Sequence, residues 1–141
     1  MMKSIDETDL ENDEDSHFDI ASIDIFSLAA HGKTKTLQTA LEMGIDPNST
    51  DRNGNTIVII GAQNGNKSII KPALRFGGHL NKANKNGNTA LHYWYEYKYY
   101  ELADYLISKG ADVKKRNKKG LIPEQGIRKK ISNIFDLAQY D

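Results

Sequence analysis

No cysteine occurs anywhere in the 141 residues. That excludes disulfides, cysteine-ligated metals and thiol nucleophiles together, and it fits a reducing compartment. Long apolar runs are also missing: the longest, Ile57 to Ala62, is far short of the roughly 20 residues that a membrane-spanning helix needs. The N-terminus is acidic where a signal peptide would be basic and then apolar. These absences predict a soluble, cytoplasmic protein with no membrane insertion. The overall charge is zero, but it hides two opposite halves. Residues 1–20 hold eight acids (Asp6, Glu7, Asp9, Glu11, Asp13, Glu14, Asp15, Asp19) against Lys3 alone. Much of the compensating positive charge lies between Lys109 and Lys130, where nine lysines and arginines face only Asp112 and Glu124. The chain is an electrical dipole along its length.

What the chain does have is a period. Gly54, Gly87 and Gly120 lie 33 residues apart, and Gly44, Gly77 and Gly110 keep the same step. The wording repeats with them: Asp51-Arg52-Asn53-Gly54-Asn55-Thr56 returns as Asn84-Lys85-Asn86-Gly87-Asn88-Thr89 and, more loosely, as Asn117-Lys118-Lys119-Gly120. A period in the low thirties predicts stacked two-helix units, an all-α solenoid. Each unit has an apolar stripe it cannot bury alone, so the columns Leu37/Ile70/Ala103, Ala40/Ala73/Leu106 and Leu41/Leu74/Ile107 are expected to form a shared core.

Along the chain, residues 1–20 have too few apolar groups to offset the entropy of ordering and are expected to form a flexible acidic tail. Helices are expected from Ile25 to Gly32 and through Leu37 and Leu41 to Gly44. In the second unit they run from a Thr56 cap to about Asn64 and from Lys67 to Phe76; in the third, from Thr89 and then from Tyr99 to Lys109. Repeats therefore cover about 21–50, 51–83 and 84–116, followed by a C-terminal cap over 117–141. In the cap Pro123 starts a helix with Ile127, Ile131, Ile134 and Leu137 on one face. That cap is either a helix pair or one longer helix. Pro72 falls inside the second outer helix and predicts a kink or a shortened helix there. Trp94 and Tyr95 replace Gly61 and Ala62 of the preceding unit, which predicts that Trp94 fills a hollow at Gly61.

Gly87-Asn88-Thr89-Ala90-Leu91-His92, followed by Leu102, Ala103, Leu106-Ile107 and Lys109-Gly110-Ala111-Asp112-Val113, resembles the ankyrin repeat, whose core phrase is Gly-x-Thr-Pro-Leu-His. The second unit resembles it less closely, with Ile57, Ile59 and Gly78 in the proline, histidine and alanine columns, and the likeness extends over about residues 24–126. Pro123 fits the proline column, while Gln125 stands in the histidine column. The resemblance implies an ankyrin-repeat α-solenoid of about three repeats with a C-terminal capping helix. It also implies a non-enzymatic protein-binding module without cofactor or metal. Its contact residues would be the fingertips and the exposed positions of the inner helices: Arg52, Asn53, Asn55, Gln63, Asn64, Lys85, Asn86, Asn88, Glu96, Tyr97, Lys118 and Lys119. The asparagine-rich fingers and the tyrosine-rich third repeat are similar to ankyrin proteins of ciliated protists. That likeness implies a subunit of a hetero-complex such as a cytoskeletal or ciliary assembly.

Other chemistry has little support. His17, His31, His79 and His92 share no ligand spacing, and His92 stands where the family's histidine bonds the capping threonine, which implies a structural role. The glycines lack the Gly-Lys-Ser/Thr ending of a phosphate loop. Tyr93, Trp94, Tyr95, Tyr97, Tyr99, Tyr100 and Tyr105 are either core or contact hot spot. Helix phase turns Trp94 and Tyr95 inward and leaves Tyr97 exposed. The alternative to a protein-binding module is a polyanion binder that would use the Lys109 to Lys130 cluster on nucleic acid or acidic tubulin tails; a solvated basic end cap is favoured over specific nucleic-acid binding as the reading of that cluster.

Overall fold

The computed structural model describes residues 22–128. The acidic segment and the part of the cap beyond Arg128 lie outside the described residues. Among the described residues six helices come in three pairs: α1 (Ile25–Ala30) with α2 (Thr34–Glu42), α3 (Ile57–Gln63) with α4 (Lys67–Arg75), and α5 (Ala90–Glu96) with α6 (Tyr100–Ser108), followed by a 3-10 turn at Pro123–Gln125. The short inner helices stack α1 on α3 on α5 on the Pro123 turn, and the outer helix α2 packs on α4.

Local chemistry sets each start. The Asp24 carboxylate accepts from the Phe26 and Ser27 amides (3.0 and 3.1 Å) and caps α1. The Thr56 hydroxyl accepts from Ile59 N at 3.2 Å, and the Asn66 side chain accepts from Ser68 N at 3.1 Å. Between units the chain reverses through Gly54, Gly87 and Gly120, all with φ near +80°.

The core columns are graded. Leu37, Ile70 and Ala103 are fully buried, as are Ala40, Ala73 and Leu106. In the third column Leu41 is buried, Leu74 half-buried and Ile107 exposed. This corrects the expectation of a uniform column. The outer helices of the first two units each have another following them, whereas no helix follows α6 among the described residues. Of the two expectations for Pro72, a shortened helix is corrected: α4 has nine residues, the same as α2 and α6. The proline ring is buried, and Ser68, whose carbonyl loses its donor, is an exposed residue, so that the freed acceptor can turn to water.

Gly61 does not provide the hollow for Trp94. A Cβ on Gly61 would lie 2.9 Å from Ile70 Cγ1 and 3.1 Å from Ile69 Cγ2, so the glycine makes room for the outer helix of its own repeat. By the 33-residue equivalence, Trp94 stands opposite the Ala103 column where the second repeat has Gly61 opposite Ile70. The bulk has moved from the outer to the inner helix, and such an exchange keeps the packed volume roughly constant.

Candidate functional site

The fingers are the loops 51–56, 84–89 and 117–122. Each closes on itself through backbone pairs, Asp51 N to Asn55 O (3.0 Å), Asn84 N to Asn88 O (3.0 Å) and Asn117 N to Leu121 O (2.9 Å). Each is joined to its neighbour by one more, Lys85 N to Asn53 O and Lys118 N to Asn86 O, both 3.0 Å. Beneath the tips runs a ladder of buried asparagines. Asn84 Oδ1 accepts from the amides of Asn86 and Asn88 (3.0 Å each), while its Nδ2 donates to Asn55 Oδ1 and to the Tyr93 hydroxyl (2.9 Å each). Asn117 repeats the pattern one unit on: Oδ1 accepts from Lys119 N and Leu121 N, and Nδ2 donates to Asn88 Oδ1 at 2.7 Å. Asp51 opens the series by accepting from Asn53 N and Asn55 N. A second ladder uses Asn48 and Asn81, in the segments that lead from each outer helix to the next finger. Asn48 bonds Gly77 O and His79 N, and Asn81 bonds Gly110 O and Asp112 N. Lys114 occupies the next place in that column and cannot accept such a bond through its side chain, so the second ladder ends there.

This geometry sorts the expected contact residues. Arg52, Asn53, Lys85, Asn86, Lys118 and Lys119 are exposed on the fingertips, with Arg52, Lys85 and Lys118 forming a row of one cation per finger. Asn64 and Tyr97 are exposed at the ends of inner helices, and Gln63 is half-buried. Asn55, Asn88 and Glu96 are buried, which corrects their placement on the contact surface. The two asparagines are rungs of the ladder. The Glu96 carboxylate accepts from Ile127 N (3.0 Å) and from Arg128 Nε and Nη2 (3.0 and 2.8 Å), tying the start of the cap to α5. The ladder residues Asn84 and Asn117 were not singled out as functional from sequence. Their signal was present in the 33-residue recurrence of Asp51, Asn84 and Asn117. A cleft of about 310 Å³ opens between the second and third fingers, with Asn86, Tyr93, Lys118, Lys119, Ile127 and Arg128 on its walls.

Trp94 is fully buried, Tyr93 nearly so and Tyr95 half-buried, leaving Tyr97, Tyr99 and Tyr100 exposed. The Tyr97 and Tyr99 rings lie 6.1 Å apart on either side of Lys98, the only non-glycine with positive φ (65°) among the described residues. Gly32 and Gly65 hold the equivalent place in the earlier repeats. A lysine there costs about 1–3 kcal/mol of backbone strain, which is more often found at functional turns than elsewhere.

His92 is the cap partner of Thr89. Its Nδ1 lies 3.2 Å from Thr89 N and 3.0 Å from Thr89 Oγ1, its own amide donates to that oxygen, and Nε2 lies 2.8 Å from Leu121 O. The ring is therefore neutral, protonated on Nε2, and joins the third repeat to the cap. Gln125, one period later, does the same work by accepting from Ile122 N at 2.9 Å, so the cap keeps the histidine's hydrogen bond with a different side chain. Burial holds the His92 pKa below its ordinary value, the Leu121 carbonyl pulls it partly back up and Lys115 lowers it slightly. A depressed histidine pKa means that the unfolded chain takes up the proton first as pH falls. Stability is then full above about pH 6.5 and declines below it until the folded-state pKa is passed. We expect the melting temperature to fall on acidification through this window, and His92→Gln to remove much of the fall, as measured by thermal denaturation across pH.

Comparison with known families matches residues 25–117 to ankyrin repeats (3 copies). The chain belongs to the ankyrin-repeat family. No curated protein matches it. The matched residues span the three helix pairs, and the ankyrin fingers are the loops held by the asparagine ladder. Ankyrin repeats generally mediate protein–protein interaction. Among the described residues no helix is long and apolar enough to cross a membrane.

Proposed function

We propose that this ankyrin-repeat chain is a non-enzymatic protein-binding module that grips an acidic partner surface with its fingers. The observation that carries this reading is the row Arg52, Lys85 and Lys118, flanked by Asn53, Asn86 and Lys119, displayed on loops that the buried asparagines hold in register. A rigid row of cations with hydrogen-bonding amides between them steers an acidic surface and loses little entropy on binding. Tyr97, exposed beside the strained Lys98, supplies an aromatic anchor of the kind that often dominates interface energy. The reading extends to a cytoplasmic hetero-complex, with a cytoskeletal or ciliary assembly as its most specific form, resting on the likeness of the fingers and the tyrosine-rich repeat to ankyrin proteins of ciliated protists.

The test is affinity capture from native cell extract with the wild-type chain and two variants. Arg52→Glu/Lys85→Glu/Tyr97→Ala is expected to lose the captured partner while its thermal midpoint stays near wild type. Lys129→Glu/Lys130→Glu is expected to retain it. The inverse result, with capture lost steeply as salt is raised, would support instead a polyanion ligand held by the C-terminal basic cluster.

A further inference from the structure

The outer face of the second repeat carries a second basic surface, well apart in sequence from the fingers. Lys67, Lys71 and Arg75 follow one another at four-residue spacing along α4, which aligns them on one side of the helix. Lys109 joins them from the end of α6. The Lys67 ammonium lies 4.2 Å and the Lys109 ammonium 5.7 Å from the centre of the half-buried Tyr105 ring. Lys71, Leu74, Arg75, Tyr105 and Lys109 line an open groove of about 360 Å³.

The repeat fold does not require this charge. The positions equivalent to Lys67, Lys71 and Arg75 are Thr34, Gln38 and Glu42 on α2, and Tyr100, Asp104 and Ser108 on α6. Glu42 and Asp104 flank the stripe, yet among the described residues the only ion pair is Arg128 with Glu96. Three cations, Lys71, Arg75 and Lys109, thus share a groove with an apolar floor and no carboxylate partner, and Lys67 lies over the Tyr105 ring beside them.

We propose that this groove is the docking site of the chain's own acidic segment, residues 6–13. The charge is complementary, since five carboxylates lie within those residues. The reach is sufficient as well. The described chain begins at Ser22, immediately before α1, which packs on α2, and α2 packs on α4. Each packed helix adds about 8–10 Å, so α4 and α6 lie within roughly 30 Å of α1. The ten residues from Asp13 to Ser22 span up to about 33 Å when extended. Leu10 lies among these acids and matches the apolar floor at Leu74 and Tyr105.

The chain lacks cysteine, so a single Leu10→Cys substitution takes a nitroxide label at one known place in the full-length protein. Paramagnetic broadening of backbone amides is expected at Lys71, Arg75, Tyr105 and Lys109. It should disappear as salt rises from about 0.01 M to about 1 M, over which the screening length falls from about 30 to about 3 Å. It should also disappear in Lys71→Glu/Arg75→Glu, whose substituted side chains are exposed, and weaken in the milder Lys71→Gln/Arg75→Gln if the first variant folds poorly. Placing the label at Ser16→Cys instead checks that the loss of Leu10 is not the cause of a negative result. Broadening confined to the fingertips around Lys118 and Lys119, or none from either label, would overturn the proposal. Neither outcome bears on partner capture by the fingers, which is read by a separate assay.

Discussion

Asn84→Ala is expected to destabilise the protein by about 3 kcal/mol or more, because one small side chain satisfies several buried groups at once. Its removal strands the Asn88 amide, the Asn55 carbonyl oxygen and the Tyr93 hydroxyl, all on buried residues, and each such group costs about 1–3 kcal/mol when left unpaired. The Asn86 amide also loses its acceptor but belongs to an exposed residue and can turn to water. Asn84→Asp separates the two halves of the ladder. The carboxylate keeps the acceptor for the Asn86 and Asn88 amides, as Asp51 does for Asn53 and Asn55 one repeat earlier, but it loses the amide donor. It should therefore cost less than Asn84→Ala in chemical denaturation. Equal losses for the two variants would show that the cross-finger donor, and not the intra-finger acceptor, carries the stabilisation. An unchanged midpoint in both would remove the ladder from any account of finger rigidity.

A matched pair of glycines gives the second large effect. Gly87 and Gly120 share φ = 80°, so an alanine at either pays the same backbone penalty, about 1–2 kcal/mol. Their surroundings differ. A Cβ on Gly87 would lie 2.8 Å from Lys118 N and 3.0 Å from Asn117 Cα, whereas at Gly120 no atom of the described residues lies within 4 Å. The backbone of the third finger cannot yield to that Cβ without stretching the bond from Lys118 N to Asn86 O. Gly87→Ala is therefore expected to cost about 3 kcal/mol, and Gly120→Ala about the backbone penalty alone, when the two unfolding free energies are compared. If the two variants prove equally stable, the close approach of successive fingers is not what holds them in register.

The repeat itself was legible before any coordinates. Helix boundaries followed from Thr56 and Thr89 as caps and from glycines at a fixed step, because capping and left-handed turns are decided by a few neighbouring residues. His92 as the partner of Thr89 was legible for the same reason. The contact surface was only partly so. Arg52, Lys85 and Lys118 proved to be exposed, but Asn55, Asn88 and Glu96 are polar residues turned inward. Polarity alone suggests exposure, and what reverses it is a partner 29 to 32 residues away, Asn84, Asn117 or the Ile127–Arg128 backbone and side chain.

The sequence by itself determined the period, the all-helical class, the family and most of the core columns. All of these rest on local turn chemistry and on an apolar stripe that recurs every 33 residues. Tertiary structure decided which asparagines are rungs and which are tips, that Gly61 makes room for Ile69 and Ile70 instead of Trp94, that Pro72 sits within a full-length helix, and that Lys67 and Lys109 converge on Tyr105. The physical reason is the same in each case. A stacked repeat places residues about one period apart in direct contact, so the fate of a side chain depends on its neighbour in the next unit as much as on its neighbours along the chain.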